Sequence, residues 1–168
     1  MRGKAVAETI EITPEMRAQI EVESDPWPYE VTTTGVRAFA RGVGHTDPVY
    51  YDADAARAVG YQQLPVPPGY LGTPVFLPGR SDPVFSTPPG TGPPLRYGLT
   101  EVLDASTEAV YERPLLAGET LMARYKLTDL QVKQSRSLGA MLVVTFETSF
   151  CDGDGKLAAR ERSQYIFY

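Results

Sequence analysis

Histidine, cysteine and long apolar runs are scarce in this sequence of 168 residues. The single histidine, His45, excludes a metal site built from several histidines and a Ser-His-Asp triad with a histidine to spare. The single cysteine, Cys151, cannot form an intrachain disulfide, and we interpret it as a small buried hydrophobic residue at a strand end. The apolar runs, such as residues 140–144, are far shorter than the roughly 18 residues that a membrane span needs.

Basic charge is also low, because the net charge is -5 and the pI is near 4.9. Nucleic-acid binding depends on a basic face that displaces counterions, and the lysines and arginines here are scattered. Near the N-terminus, Glu8 and Glu11 interrupt any apolar segment of the kind found in secretory signals. We therefore expect a cytoplasmic protein that binds no nucleic acid and no membrane.

The amount of sequence and its composition indicate one domain over residues 1–168. Hydrophobic residues make up 42% and charged residues 22%, which is typical of a globular protein with a full core. We find no internal repeat and no linker.

Short helices are predicted in the first half of the chain. Thr13 is placed as an N-cap before Pro14, whose missing N–H costs nothing at the first helical position. A second helix is indicated by the helical spacing of Val36, Phe39, Ala40 and Val43, with Thr33 or Thr34 available as its cap.

The alanine-rich run after position 52 predicts a third helix, capped by Asp52 or Asp54 and stopped at Gly60. Ten of the fifteen prolines then lie between residues 65 and 94, which excludes one regular helix or a central strand there. We expect the end of that segment to be a long surface loop lining a functional opening.

From residue 95 onward the sequence is rich in β-branched and aromatic residues, in four runs separated by turn residues. One separator, residues 151–155 (CDGDG), resembles the start of a calcium loop but lacks the downstream ligands, so we interpret it as a hairpin turn. Helices followed by sequential strands predict an α+β domain in which a helix packs on one face of an antiparallel sheet.

Three segments together resemble a known family. Residues 39–61 (FARGVGHTDPVYYDADAARAVGY), 64–72 (LPVPPGYLG) and 113–121 (RPLLAGETL) are similar to the MaoC-like hotdog-fold enoyl-thioester hydratases and 3-hydroxyacyl-thioester dehydratases, in the branch of FAS1-like or MaoC N-terminal dehydratase domains. The resemblance covers nearly the whole chain. It implies a hotdog fold, in which the antiparallel sheet wraps around a central helix that starts near Pro68 or Gly69 and is shortened or kinked at Pro74.

The resemblance also implies a site in the first of these segments. Catalytic members carry a Gly-Asp-x-Asn-Pro-x-His loop whose Asp and His activate water for addition to an enoyl thioester, or run the reverse dehydration. Here His45 stands at the Asp position, Asp47 at the Asn position and Tyr50 at the His position, so both members of the catalytic pair are substituted.

The second part of the family's site is retained in this resemblance. Gly69, flanked by Pro68 and Tyr70, matches the glycine whose N–H polarises the thioester carbonyl at the start of the central helix. A backbone donor there is a sound oxyanion stabiliser because the helix dipole adds to its effect. The substrate-binding residues implied are thus Pro68, Gly69 and Tyr70, with CoA or an acyl carrier protein as carrier and with no metal or other cofactor.

We first expect a substrate-binding subunit in fatty acid or polyketide metabolism, paired with a hotdog chain that has the intact Asp/His pair. The partner is a second copy or a different protein, because a double hotdog needs roughly twice this length. We expect the dimer to form by edge-to-edge continuation of the two sheets.

The alternative is an altered lyase, isomerase or cyclase in which His45 is the general base, Tyr50 a proton or hydrogen-bond donor, and Asp47 the residue that orients the imidazole. Two simpler interpretations stay open: a loop histidine that only makes hydrogen bonds, and a tyrosine that forms the wall of the acyl pocket. Thioesterases of the same fold usually use an Asp or Glu on or near the central helix. Residues 67–79 contain neither, which disfavours a thioesterase.

Overall fold

The computed structural model describes residues 9–72, 99 and 101–168, which form three α-helices and five strands. Two 3-10 turns, Pro48–Tyr50 and Tyr70–Gly72, lie between α3 and its neighbours in the chain. The regular elements are α1 (Pro14–Ala18), β1 (Trp27–Glu30), α2 (Thr33–Gly42), α3 (Ala53–Ala58), β2 (Val102–Tyr111), β3 (Thr120–Ser135), β4 (Gly139–Cys151) and β5 (Leu157–Phe167).

The strands form one antiparallel sheet in the order β1-β3-β4-β5-β2. The four runs predicted after residue 95 are the four strands β2 to β5, and this prediction is confirmed. The turn between β4 and β5 is the predicted hairpin, because the Asp152 N–H donates to the Lys156 carbonyl at 2.9 Å. Among the described strands, the two edges are β1, which is short, and β2, which has ten residues.

The predicted helices also form where their local signals place them. Thr13 accepts a hydrogen bond from the Met16 N–H at 3.3 Å and caps α1. Asp52, one of the two predicted caps, accepts from the N–H groups of residues 54 and 55 and starts α3. The cap of α2 is Thr32 instead of Thr33 or Thr34, because only Thr32 has the extended backbone that turns its hydroxyl toward the Gly35 N–H, at 2.9 Å.

The core consists of two apolar clusters on the sheet, joined by Tyr125, which packs against both. The first cluster joins α2, α3 and the turn at Tyr70–Gly72 to the sheet; among its members are Trp27, Tyr29, Val36, Tyr70, Leu115 and Phe150. The second lies further along β3, β4 and β5; among its members are Leu127, Leu142, Phe146 and Phe167. Cys151 is half-buried at the end of β4.

The predicted start of the central helix, near Pro68 or Gly69, lies close to the end of the described range 9–72. Directly after Gly69 the chain forms the 3-10 turn Tyr70–Gly72, and Tyr70 and Leu71 are 3% and 4% exposed. The expected kink at Pro74 and the expected surface loop up to Pro94 lie outside the described residues. None of the described helices has the length and apolarity that crossing a bilayer requires.

Candidate functional site

The segment that connects α2 to α3 holds the three substituted positions of the family loop. At the end of α2, the His45 N–H donates a hydrogen bond to the Ala40 carbonyl at 2.9 Å. The Asp47 carboxylate then accepts from the Val49 N–H at 3.0 Å and caps the turn Pro48–Tyr50. These local bonds fix the backbone at His45 and at the turn that contains Tyr50.

Two of the three predicted catalytic residues lie side by side. The rings of His45 and Tyr50 have centroids 5.3 Å apart and are tilted by 46°. Asp47 is exposed, and within residues 9–72, 99 and 101–168 its carboxylate makes no hydrogen bond to the imidazole. The structure therefore brings the rings of His45 and Tyr50 together, whereas the Asp47 carboxylate binds a backbone N–H.

Tyr50 is held in its protonated form. Partial burial raises the pKa of the Tyr50 phenol, and the charges of Asp47 and Tyr61 raise it further. A phenol with a raised pKa is a hydrogen-bond donor at neutral pH and a poor base. This favours a donor or a pocket wall at position 50.

A cavity of about 460 Å³ opens beside this loop. Three tyrosines and several prolines dominate its wall, with Glu112 and Arg113 as the charged groups. The tyrosines are Tyr50, Tyr61 and Tyr111, and the prolines are Pro65, Pro68 and Pro114. Of the six predicted site residues, Tyr50 and Pro68 belong to this wall, whereas His45, Asp47, Gly69 and Tyr70 do not.

Gly69 follows directly on the cavity residue Pro68 and is exposed. Its φ of +83° lies in the left-handed region, which favours glycine. The Gly69 N–H makes no hydrogen bond to any residue in the described part of the chain. A free backbone donor at the edge of an apolar cavity is what binding of a carbonyl oxygen requires.

Tyr70 has a structural place instead. It is buried, and its ring packs edge-on against Tyr29 and Phe39, with centroids 6.3 Å and 5.7 Å away. The Tyr29 hydroxyl donates to the Tyr70 carbonyl at 3.2 Å. Tyr70 thus anchors the turn that carries Gly69.

Residues 113–119, which we call the clamp, form a closed loop that contributes to the cavity wall. The Arg113 guanidinium lies 2.8 Å from the Glu119 carboxylate, whose other oxygen accepts from the Leu116 N–H at 3.0 Å. The closed loop pairs with the chain before Gly69, since the Val66 N–H donates to the Leu115 carbonyl at 2.9 Å. This accounts physically for the Arg and Glu of the RPLLAGE pattern.

Sequence reasoning missed Tyr61, Tyr111 and Arg113 as cavity residues. Tyr61 lies just after the glycine that ends α3, and Tyr111 is the last residue of β2. Nothing in their spacing along the chain connects them with residues 45–50. They share the wall because the fold brings the end of β2 next to the residues on either side of α3.

Glu161 is an isolated carboxyl on the same face of the sheet as Tyr111. It pairs with Ala109 of β2 and Thr148 of β4, and its Oε1 accepts from the Ser163 hydroxyl at 3.4 Å. Its Oε2 is buried and has no hydrogen-bond partner among the described residues. Burial raises the pKa of Glu161, the Ser163 hydroxyl opposes this rise, and the charge of Asp104 adds to it.

We expect Glu161→Gln to raise the free energy of unfolding at pH 7. Because the folded protein holds the Glu161 proton more tightly than the unfolded chain, this residue's contribution to stability is complete below the ordinary pKa of 4.5 and is lost as the pH rises through the higher folded value. The advantage of the glutamine variant should therefore shrink as the pH falls toward 4.

Urea unfolding between pH 4 and 8 measures this difference. Glu108→Gln is the matched control, since Glu108 lies exposed on β2 and its replacement removes no buried charge. An advantage of Glu161→Gln that grows toward acidic pH would contradict the assignment.

Comparison with known proteins gives three kinds of similarity. The family described as "FAS1-like, dehydratase domain region" matches residues 18–161 of this chain. A UPF0336 protein of Clavibacter michiganensis is 32% identical over 144 residues, which are 86% of this chain and 87% of that protein.

Two solved structures share the fold. One is the C-terminally truncated HadBC (3R-hydroxyacyl-ACP dehydratase) complex of Mycobacterium tuberculosis, with a TM-score of 0.64 and 17% identity over 88% of this chain and 96% of that chain. The other is the ChsH1-ChsH2 complex of the same organism, with a TM-score of 0.66 and 23% identity over 87% of this chain and 84% of that chain. The predicted hotdog class is confirmed by these matches.

Proposed function

Because the chain belongs to the FAS1-like dehydratase domain family, we propose that it is the acyl-thioester-binding subunit of an enoyl-thioester hydratase or 3-hydroxyacyl-thioester dehydratase. The observation that carries this proposal is the contrast between its two half-sites. Gly69 presents a free N–H beside the cavity, whereas the loop at 45–50 has no carboxylate bound to its histidine in the described residues.

The cavity supports binding of an acyl thioester. Its volume of about 460 Å³ suits a small ligand, and its wall is mostly aromatic and aliphatic with few charges. The Gly69 N–H would donate a hydrogen bond to the thioester carbonyl oxygen, and Pro68 and Tyr50 would contact the neighbouring atoms of the ligand. CoA or an acyl carrier protein would carry the acyl group, and no other cofactor is proposed.

The edge position of β2 supports pairing with a second hotdog chain. This strand is exposed along most of its length, and within the described residues it pairs only with β5. A long strand at the edge of a sheet presents N–H and C=O groups that can pair with another strand. Both solved structures above are described as complexes, HadBC and ChsH1-ChsH2. The partner, a second copy or a different chain, would supply an intact Asp/His pair.

We expect the native protein to be a dimer, with a mass above the 18.4 kDa of one chain. We expect Val110→Lys to dissociate this dimer. Lysine on an edge strand is one of the means by which proteins prevent edge-to-edge pairing, so Val110→Lys should disfavour the added strand. Light scattering at micromolar concentration, with the native complex captured and identified by mass spectrometry, measures both the size and the partner.

Val59→Lys is the control, because Val59 is 65% exposed and lies at the end of α3 and not on a strand. An 18.4 kDa species alone, with and without proteins captured from the native source, would sink the subunit proposal.

The contact between His45 and Tyr50 favours a second candidate, an enzyme active by itself. With ring centroids 5.3 Å apart, the imidazole could remove a proton from a bound ligand while the phenol donates one. Asp47 does not orient the imidazole in the described structure, so this enzyme would work with the His45–Tyr50 pair alone.

A further inference from the structure

Tyr111 carries an enclosed hydroxyl that the proposed site has not used. It is the last residue of β2, and its ring forms part of the cavity wall. The hydroxyl oxygen is buried, and no hydrogen-bond partner for it exists within the described ranges. Nearly all buried polar groups in proteins have a partner, so an unpaired phenol beside a cavity points to a ligand group.

Two backbone amides of the Gly69 turn act on this hydroxyl. Burial raises the pKa of the Tyr111 phenol, a hydrogen bond from the Leu71 N–H opposes this rise, the Glu161 charge adds to it, and a hydrogen bond from the Gly69 N–H opposes it. Neither amide meets the full geometry of a hydrogen bond, and within the described ranges the O–H proton has no acceptor. The Tyr111 O–H on the cavity wall and the Gly69 N–H, directly after the cavity residue Pro68, are thus two donors without an acceptor in the described part of the chain.

We propose that the Tyr111 hydroxyl is a second hydrogen-bond donor to the ligand's thioester carbonyl, beside the Gly69 N–H. The inference rests on the proposed function, since it names a further binding residue of the same site. Two donors fix the direction of a carbonyl group as well as its position, and both add to its polarisation. Because the oxygen is buried in this structure, the proposal requires the ring to turn toward the cavity when the carbonyl binds.

Position distinguishes Tyr111 from the other phenols of the cavity. Tyr50 and Tyr61 interact with each other and with the loop at residues 45–50. Tyr111 ends β2, directly before the clamp of Arg113 and Glu119, and the Gly69 amide acts on its oxygen.

The test compares two ligands that differ in the carbonyl group. Crotonyl-pantetheine has the thioester carbonyl, S-(but-2-enyl)-pantetheine lacks it, and pantetheine is the part common to both carriers. Calorimetry on the purified chain, or on the complex it forms, gives the ratio of the two dissociation constants. We expect Tyr111→Phe to reduce the preference for the thioester by about three- to tenfold, the effect of one lost hydrogen bond.

Thermal unfolding gives a second measurement that a structural role would move in the opposite direction. Because the Tyr111 hydroxyl has no partner in the described structure, Tyr111→Phe should leave the Tm unchanged or raise it. Tyr125→Phe is the matched control: Tyr125 is a half-buried tyrosine of β3 outside the cavity, and its replacement should keep the full thioester preference.

Three results would overturn the inference, and they are distinguishable. If the wild type prefers the thioester and Tyr111→Phe keeps that preference, only the role of Tyr111 is wrong. If the wild type binds both ligands equally, the carbonyl site at Gly69 and Tyr111 is wrong. If it binds neither, the proposed function fails together with the inference.

Discussion

Gly69→Val is expected to weaken acyl-thioester binding at least about tenfold and to lower the turnover of the complex by roughly 10²-fold, the usual effect of losing one oxyanion donor. The residue has φ +83°, which a β-branched side chain does not tolerate. Space is not the obstacle, because an added Cβ would lie 3.6 Å from Phe39, an ordinary contact. The turn must instead relax to negative φ, and this redirects the Gly69 N–H away from the cavity.

Gly155→Val separates this effect from backbone strain. Gly155 has φ +78°, lies in the hairpin between β4 and β5, and an added Cβ would meet nothing within 4 Å. Both variants should lose about 1–2 kcal/mol of unfolding free energy from the same conformational cost. Isothermal titration with crotonyl-pantetheine and denaturant unfolding measure the two quantities. Undiminished binding by Gly69→Val would mean that the family's oxyanion site does not transfer to this residue.

Removal of the partner's Asp/His pair is expected to abolish turnover, whereas His45→Ala and Tyr50→Phe in this chain should change it only a few-fold. This follows if the loop at 45–50 shapes the cavity while the partner activates water. Steady-state kinetics of the reconstituted complex with crotonyl-pantetheine measure the three variants side by side.

The second candidate function makes the opposite prediction. If His45 is the general base, His45→Ala should lose at least the roughly 10²-fold typical of general acid-base catalysis, and the purified chain should turn over substrate alone. Asp47→Asn should have little effect under either candidate, because its amide oxygen can still cap the Val49 N–H and the Asp47 carboxylate makes no hydrogen bond to the imidazole in the described structure.

The secondary structure could be predicted because its signals are local. Thr13 and Asp52 cap helices through bonds to N–H groups two or three residues away, and such bonds depend on neighbouring sequence alone. The strands β2 to β5 follow in the same way from β-branched runs between turn residues. The choice of Thr32 over its two neighbours as the cap of α2 was not predictable, since three adjacent threonines offer the same hydroxyl.

Sequence alone predicted the fold class of this protein and the loop that holds the substituted family positions. His45, Asp47 and Tyr50 were recognisable by their order in a family pattern, and Gly69 by its place after two prolines. Only the tertiary structure decided which of these side chains share a surface. It placed Asp47 on a backbone amide and brought Tyr111 to the cavity.

The physical reason is that a binding site depends on distances between residues far apart in sequence. Tyr111 reaches the Gly69 turn because β2 pairs with β5 in one register, opposing Tyr111 to Ala159, and because the clamp at residues 113–119 then joins the chain before Pro68. A shift of one residue would turn the Tyr111 ring to the other face of the sheet. That register is set by side chains from several strands packing together, and no local pattern encodes it.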